Sequence, residues 1–171
     1  MNLDSKYILH RNIDKKLLKK IIILKNQEWR YSFASHIKWL KKNLKPYDVH
    51  IVIFIKNKLV GYTMLRKRKL IINKKKKNFF YFDTYIVDKK SRKLIIDNQK
   101  ISVHLMKLAK KYILKKKFLA FLLCQKKLIS HYKKNGWSQI NRNKFKIDGK
   151  KKLFGFVFGK VNKYNSLDFI L

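Results

Sequence analysis

The stretch ISVHLMKLAKKYILKKKFLAFLLC, residues 101–124, decides the fold. Ile101, Leu105, Leu108, Ala109, Tyr112 and Ile113 recur at helical spacing with Lys107, Lys110 and Lys111 opposite, which predicts an amphipathic helix over 101–117. FLAFLLC (118–124) then runs apolar without alternation, the pattern of a short buried strand. Upstream, FFYFDTYIV (79–87) is aromatic and β-branched and reads as a central strand interrupted by Asp83. Strand, helix and strand in this order form a crossover unit, which joins parallel strands.

Working outward, YILHRNI (7–13) reads as an opening strand. Asp14 caps a helix carrying Leu17, Leu18, Ile21, Ile22 and Leu24 and ending near Trp29. Ser32 or Ser35 caps a second helix on Phe33, Ile37, Leu40 and Leu44, stopped by Pro46, the only proline. VHIVIFI (49–55) and LVGYTMLRKRKLII (59–72) flank a KNK turn and predict a hairpin, followed by a lysine loop, NKKKKN (73–78). Beyond Cys124, Leu128, Ile129 and Tyr132 place an apolar stripe on a helix closed by Asn135-Gly136. QINRNKFKI (139–147), an Asp148-Gly149 turn and LFGFVFG (153–159) read as a closing antiparallel hairpin.

Composition narrows the class. Forty-five Lys and Arg against nine Asp and Glu give a formal charge of +36, yet 46 % hydrophobic and 14 % aromatic content belongs to a folded domain and excludes a disordered polycation. Such a charge fits a nucleic-acid-associated protein that binds by counterion release. Two features weigh against that partner. Only six basic residues are Arg, the type that forks onto phosphates and base edges, and the lysines are spread over every predicted element. Lys, Ile and Asn also share A/T-rich codons, which accounts for the excess without a function. One Cys excludes an internal disulfide, and no Cys or His cluster has zinc-ligand spacing, so no metal is expected. No apolar run reaches about 18 residues, and MNLDSKYILHRN lacks the apolar core of a signal peptide. A cytoplasmic protein without a membrane span is the expectation.

The element order resembles the GNAT superfamily of acetyl-CoA-dependent N-acetyltransferases, most specifically in DTYIVDKKSRK (83–93) and LISHYKKNGW (128–137). LLC ahead of LISHYKKNGW is similar to the aminoglycoside-acetyltransferase-like branch. The resemblance implies a single α/β domain over residues 1–171, with a GNAT-like mixed twisted sheet of about seven strands and helices on both faces. It implies acetyl-CoA as co-substrate in a V-shaped split between the fourth and fifth strands, and direct transfer to a primary amine of a small-molecule acceptor in a ternary complex. Tyr85, Ile86 and Val87 would offer backbone groups to the thioester and pantetheine arm. Arg92 and the backbone of Lys100, Ile101 and Ser102 would hold the pyrophosphate, and a helix start does present unpaired N–H groups to anions. Tyr132 would protonate the departing thiolate.

The family loop is commonly Arg or Gln, two residues, Gly, one residue, then Gly or Ala. Here no glycine lies between Gly61 and Gly136, and Asp97 stands at the basic position. KLIIDNQ (93–99) is either an inserted bulge or a segment whose Asp97 or Asn98 caps the helix. A GNAT-like fold with lost or altered CoA binding, serving as a binding or regulatory module, is the alternative reading.

By strand alternation Asp83 shares a face with Tyr85 and Val87, which makes it the candidate general base for an amine mostly protonated near neutral pH. A lysine-paired structural Asp is the other reading. A free tyrosine has a pKa of about 10 and a thiol about 8.5, so Tyr132 suits a proton donor to a thiolate; a core aromatic is the other reading. Cys124 and His131 invite a nucleophile reading, but no third group orients them, so a buried thiol and an exposed imidazole are expected. Glu28, the only glutamate, reads as a surface pair, and Trp29, Trp39 and Trp137 as core or pocket-rim residues. The basic surface leans toward an anionic or phosphorylated amine as acceptor.

Overall fold

A computed structural model of the chain describes residues 2–72, 75–146, 153–159 and 167–170. β1 (Leu3–Leu9) precedes α1 (Lys15–Asn26) and α2 (Phe33–Asn43), and β2 (Val49–Ile55), β3 (Lys58–Ile72) and β4 (Lys75–Val87) follow. A ribbon of β5 (Ile95–Ile96) and β6 (Gln99–Lys100) leads into α3 (Ile101–Lys116), then β7 (Leu119–Cys124) and α4 (Ile129–Lys134). β8 (Ser138–Ile140), β9 (Phe145–Lys146), β10 (Phe154–Phe158) and β11 (Leu167–Ile170) complete the order. The fold is α/β with a mixed sheet whose main path has seven strands, β1-β2-β3-β4-β7-β10-β8; β9 and β11 pair off that path. β4 and β7 are parallel through Phe79–Leu119, Phe80–Ala120 and Tyr81–Phe121, as the crossover helix demands. The chain divides into two compact units, Met1–Arg66 with Asp83–Ala109, and Lys67–Phe82 with Lys110–Leu171.

In the first unit the helix starts follow from their caps. Asp14 accepts from the Leu17 amide at 2.6 Å, and Ser32, not Ser35, caps α2 by accepting from the Ser35 amide at 3.1 Å. Leu17, Ile21, Ile22 and Leu24 of α1 and Leu40 of α2 pack with Val52, Tyr62 and Met64 of β2 and β3. Each such aliphatic burial contributes about 1.5–3 kcal/mol. The other sheet face takes α3. A Cβ on Gly61 would lie 3.4 Å from Ile101 Cγ2, and the Tyr7 hydroxyl donates to the Leu108 carbonyl at 3.0 Å. Val52 is opposite Tyr62 and Ile53 opposite Gly61, so the two helix layers lie on opposite faces of this unit's strands.

Three boundaries differ from the sequence reading. β1 spans Leu3–Leu9, not 7–13, because it pairs along all of β2, from Leu3–Ile55 to Leu9–Val49. The chain then turns away, with the His10 amide on the Asp48 carbonyl at 2.8 Å. α1 stops at Asn26, short of Trp29. β4 starts at Lys75, inside the run read as a lysine loop, since its exposed lysines need no buried face to join a strand.

In the second unit, Leu70, Phe79, Tyr81, Phe121, Ile140, Phe145 and Val157 form one apolar cluster. Gly155 lies against it; a Cβ there would come within 2.7 Å of the Phe145 ring. The expected closing hairpin is divided. β8 pairs with β10, whereas β9 pairs in parallel with β11, a strand the sequence pattern does not announce. The Asp148-Gly149 turn lies outside the described residues. The stripe on α4 is also narrower than expected, because residues 126–128 form a 3-10 turn and leave Leu128 exposed while Tyr132 is buried. Among the described residues, no helix is long and apolar enough to cross a membrane, and no three His, Cys, Asp or Glu are grouped to hold a metal.

Candidate functional site

Strand β4 breaks step at Thr84, whose φ of 51° is left-handed. A β-branched residue pays on the order of 1–2 kcal/mol for that conformation. The break reverses the side-chain alternation. Asp83 faces the cavity lined by α1 and α2, while the Tyr85 hydroxyl goes the other way and donates to the Ser102 carbonyl, in the first turn of α3, at 2.6 Å. The expectation that Asp83 and Tyr85 share a face is therefore corrected, and the left-handed residue between them is the reason.

Asp83 and Thr84 wall a first-unit cavity of about 400 Å³. Trp29 and Tyr31, from the segment between α1 and α2, and Trp39 of α2 form its aromatic walls, and Lys25 of α1 lines it too. Asp83 Oδ2 accepts from Arg66 Nη1 at 2.9 Å, whereas among the described residues Oδ1 takes only a longer bond from the Thr84 hydroxyl, 3.3 Å. Its ionic partner is thus a buried arginine, not a lysine. The Lys25 ammonium lies 4.7 Å, and the Arg66 guanidinium carbon 5.5 Å, from the Trp39 ring centroid. His36, bonded to Asn26 Oδ1 at 2.7 Å, has its pKa lowered by burial and by the Lys25 charge against a bond at Trp29, so it is neutral at neutral pH.

The predicted pyrophosphate segment takes an unexpected form. Asp97 and Asn98 are both left-handed, φ 48° and 58°, and close a two-residue turn between β5 and β6. KLIIDNQ is thus neither a bulge nor a cap but a strand, its turn and the first residue of the return strand of a hairpin, which runs through Lys100 into Ile101, the first residue of α3. The His104 ring bonds the Ile96 carbonyl at 2.8 Å and ties the ribbon to the helix. Lys100 is exposed, Ile101 buried and Ser102 half-buried, and the first turn of α3 carries no acid. Arg92 Nε donates to the Val87 carbonyl at 3.2 Å, and its Nη2 to the Glu28 carboxylate, the surface pair expected of Glu28. The start of α3 thus offers its amides to an anion with no acid in the first turn, and exposed Lys100 immediately precedes it. Burial pushes the Tyr85 phenol well above its ordinary pKa, its Ser102 bond offsetting this in part.

Buried Asp88 fixes the exit from β4 by accepting from Gln27 Nε2 at 2.8 Å, Lys58 Nζ at 3.0 Å and the Ser91 hydroxyl at 2.8 Å. Burial acts to raise its pKa, but these donors outweigh it and hold the carboxyl below the usual range.

In the second unit, Tyr132 of α4 is buried with its ring among Phe82, Trp137 and Phe156, at centroid distances of 6.4, 6.1 and 5.9 Å. Cys124 is a buried strand-end thiol that burial pushes up to about 11, far from a reactive thiolate. His131 is half-buried, not exposed as expected, and burial lowers its pKa. Trp137 is a core residue, while Trp29 and Trp39 line the first unit's cavity.

Of the predicted site residues, Asp83, Tyr85, Ile86, Val87, Arg92, Lys100, Ile101 and Ser102 thus belong to the first unit, and Tyr132 to the second. Sequence reasoning missed Lys25, Arg66, Thr84 and Asp88. A signal existed for the first two: Lys25 follows Ile21 by four residues within the apolar stripe, and Arg66 continues the inward alternation of Tyr62 and Met64.

No protein-family model and no curated protein matches the chain. Solved structures do match it in fold. An acyl-CoA N-acyltransferase from Pseudomonas aeruginosa shares 14 % identity at a TM-score of 0.66, over 91 % of this chain and 99 % of that one. The N-acetyltransferase YlbP of Bacillus subtilis, in complex with coenzyme A, shares 14 % at 0.59, over 93 % and 97 %. The PaiA N-acetyltransferase of Thermoplasma acidophilum, also in complex with coenzyme A, shares 17 % at 0.56, over 94 % and 100 %. The likeness is one of fold, and that fold is the GNAT type.

Proposed function

We propose, from that shared fold, that the protein moves an acetyl group from acetyl-CoA to a primary amine of a small molecule, directly and within a ternary complex. The observation that supports this most is the reversal at Thr84. It presents Asp83 to a cavity of small-molecule size on one face of β4 and sends Tyr85 to an acid-free helix start on the other. Acetyl-CoA, when bound, supplies an acetyl thioester whose C–S bond breaks as the N–C bond forms. Arg92, Lys100 and the Ile101 and Ser102 amides bind the pyrophosphate, and the backbone of Tyr85, Ile86 and Val87 binds the pantetheine arm. Asp83 Oδ1, the oxygen not committed to Arg66, takes the amine proton through a water, and the Tyr132 hydroxyl gives its proton to the thiolate. LLC ahead of LISHYKKNGW supports the aminoglycoside-acetyltransferase-like branch.

A thermal-shift titration with acetyl-CoA tests the reading. At a hundredfold excess over Kd the folded state gains about 2.7 kcal/mol, and the melting midpoint rises by roughly 5–10 °C. No shift at millimolar acetyl-CoA contradicts the enzyme and favours a binding or regulatory module, for which the Asp97-Asn98 turn in place of a glycine-rich loop is the supporting observation.

A further inference from the structure

Lysine rarely occupies the apolar stripe of a helix, and Lys25 does. It follows fully buried Ile21 and Ile22 by four and three residues and is itself only 6 % exposed, at the wall of the cavity that Asp83 also lines. Its ammonium rests over the Trp39 ring and makes no hydrogen bond or salt bridge with any described residue. A buried ammonium is costly unless an anion meets it, and a ring face offsets only part of that cost. The carboxylate whose charge acts on it, Asp83, makes its ion pair through Oδ2 with Arg66 at 2.9 Å and none with Lys25. With His36 neutral, Lys25 and Asp83 are the charged residues of the cavity wall, and since Asp83 pairs with Arg66 behind it, the three groups carry two positive charges against one negative.

We infer that the acceptor amine also carries a carboxylate, which Lys25 Nζ binds, and an apolar or aromatic body, which Trp29, Tyr31 and Trp39 hold: an amino-acid-like molecule. A single unpaired lysine balances one unit of charge, which suits a carboxylate and leaves a phosphate dianion undercompensated. Trp29 and Tyr31 are 39 % and 63 % exposed, as aromatic walls waiting for an apolar body are. Burial lowers the Lys25 pKa, with Asp83 acting upward and Arg66 downward, the condition that a bound carboxylate relieves. The identification of this molecule as an acceptor rests on the acetyltransferase reading; its binding does not.

The test is calorimetry on the full chain without acetyl-CoA, so that failure of acetyl transfer and failure of the subsite are read separately. The probes are L-phenylalanine and L-leucine, each against its carboxamide, with wild type, Lys25→Met and Lys25→Arg. A charge-assisted bond of this kind predicts a preference of about ten- to hundredfold for the free carboxylate in wild type. Lys25→Met, which suits the stripe and keeps the fold, abolishes that preference, and Lys25→Arg retains it. Equal binding of acid and amide in wild type, no binding of either acid at millimolar concentration, or a preference that survives Lys25→Met overturns the proposal.

Discussion

Tyr132→Phe is expected to lower acetyl-transfer turnover by about 10²–10⁴-fold, the usual weight of a positioned general acid. Phenylalanine keeps the ring that packs among Phe82, Trp137 and Phe156, so the fold has little reason to change. Stability stays within about 1.5 kcal/mol of wild type, the net worth of one hydroxyl hydrogen bond. Acetyl-CoA affinity, read by the same thermal shift, stays within a few fold. Steady-state kinetics decides the matter: a fall in turnover without loss of cofactor binding assigns the proton to Tyr132, and unchanged turnover makes Tyr132 a packing residue only.

Acid is expected to unfold the protein through a buried histidine. The fully buried His50 ring shares a hydrogen bond with Tyr62 Oη at 2.8 Å through Nδ1 and with His10 Nδ1 at 3.0 Å through Nε2. Desolvation, then the His10 and Lys25 charges, lower its pKa to about 3. In the unfolded chain a histidine titrates near 6.5. Below that pH the unfolded state binds a proton that the folded state refuses, so stability is full above about 6.5 and is lost as pH falls toward the folded value. At about 1.4 kcal/mol per unit, the loss approaches 4–5 kcal/mol, a large fraction of a typical domain's stability. His10, His36 and His131, with pKa values lowered mainly by burial, add in the same direction. Urea unfolding as a function of pH checks this. His50→Gln, which keeps a donor and an acceptor but does not titrate, is expected to flatten most of the slope; an identical slope in both proteins would place the acid sensitivity elsewhere.

Much of the fold was legible because its signals are local. Asp14 and Ser32 announce their helices through short polar side chains before an apolar stripe, and VHIVIFI is strand β2 residue for residue. The parallel β4–β7 pair followed from the helical stripe between two apolar runs. Pairings made across long sequence separations were not legible: β9 joins β11, which no turn or alternation foretells. The Asp97-Asn98 turn was a missed signal, since both residue types tolerate the left-handed region and follow the β-prone pair Ile95-Ile96.

The candidate site was legible by residue type more than by geometry. Asp83 stood out as a charge in an apolar strand, yet its direction depends on one left-handed threonine that propensity disfavours. Arg66 and Lys25 looked like two more of many lysines and arginines; only their positions on inward-facing stripes set them apart. A strongly basic chain hides its few functional cations among solvated ones.

In the proposed reaction the strand end at Tyr85–Val87 and the start of α3 serve acetyl-CoA. A crystal structure of the chain grown with coenzyme A tests it most directly. The pyrophosphate is expected on Lys100, Arg92 and the Ile101 and Ser102 amides, with the sulfur within hydrogen-bond reach of the Tyr132 hydroxyl. Coenzyme A bound elsewhere, or its sulfur remote from Tyr132, would contradict it.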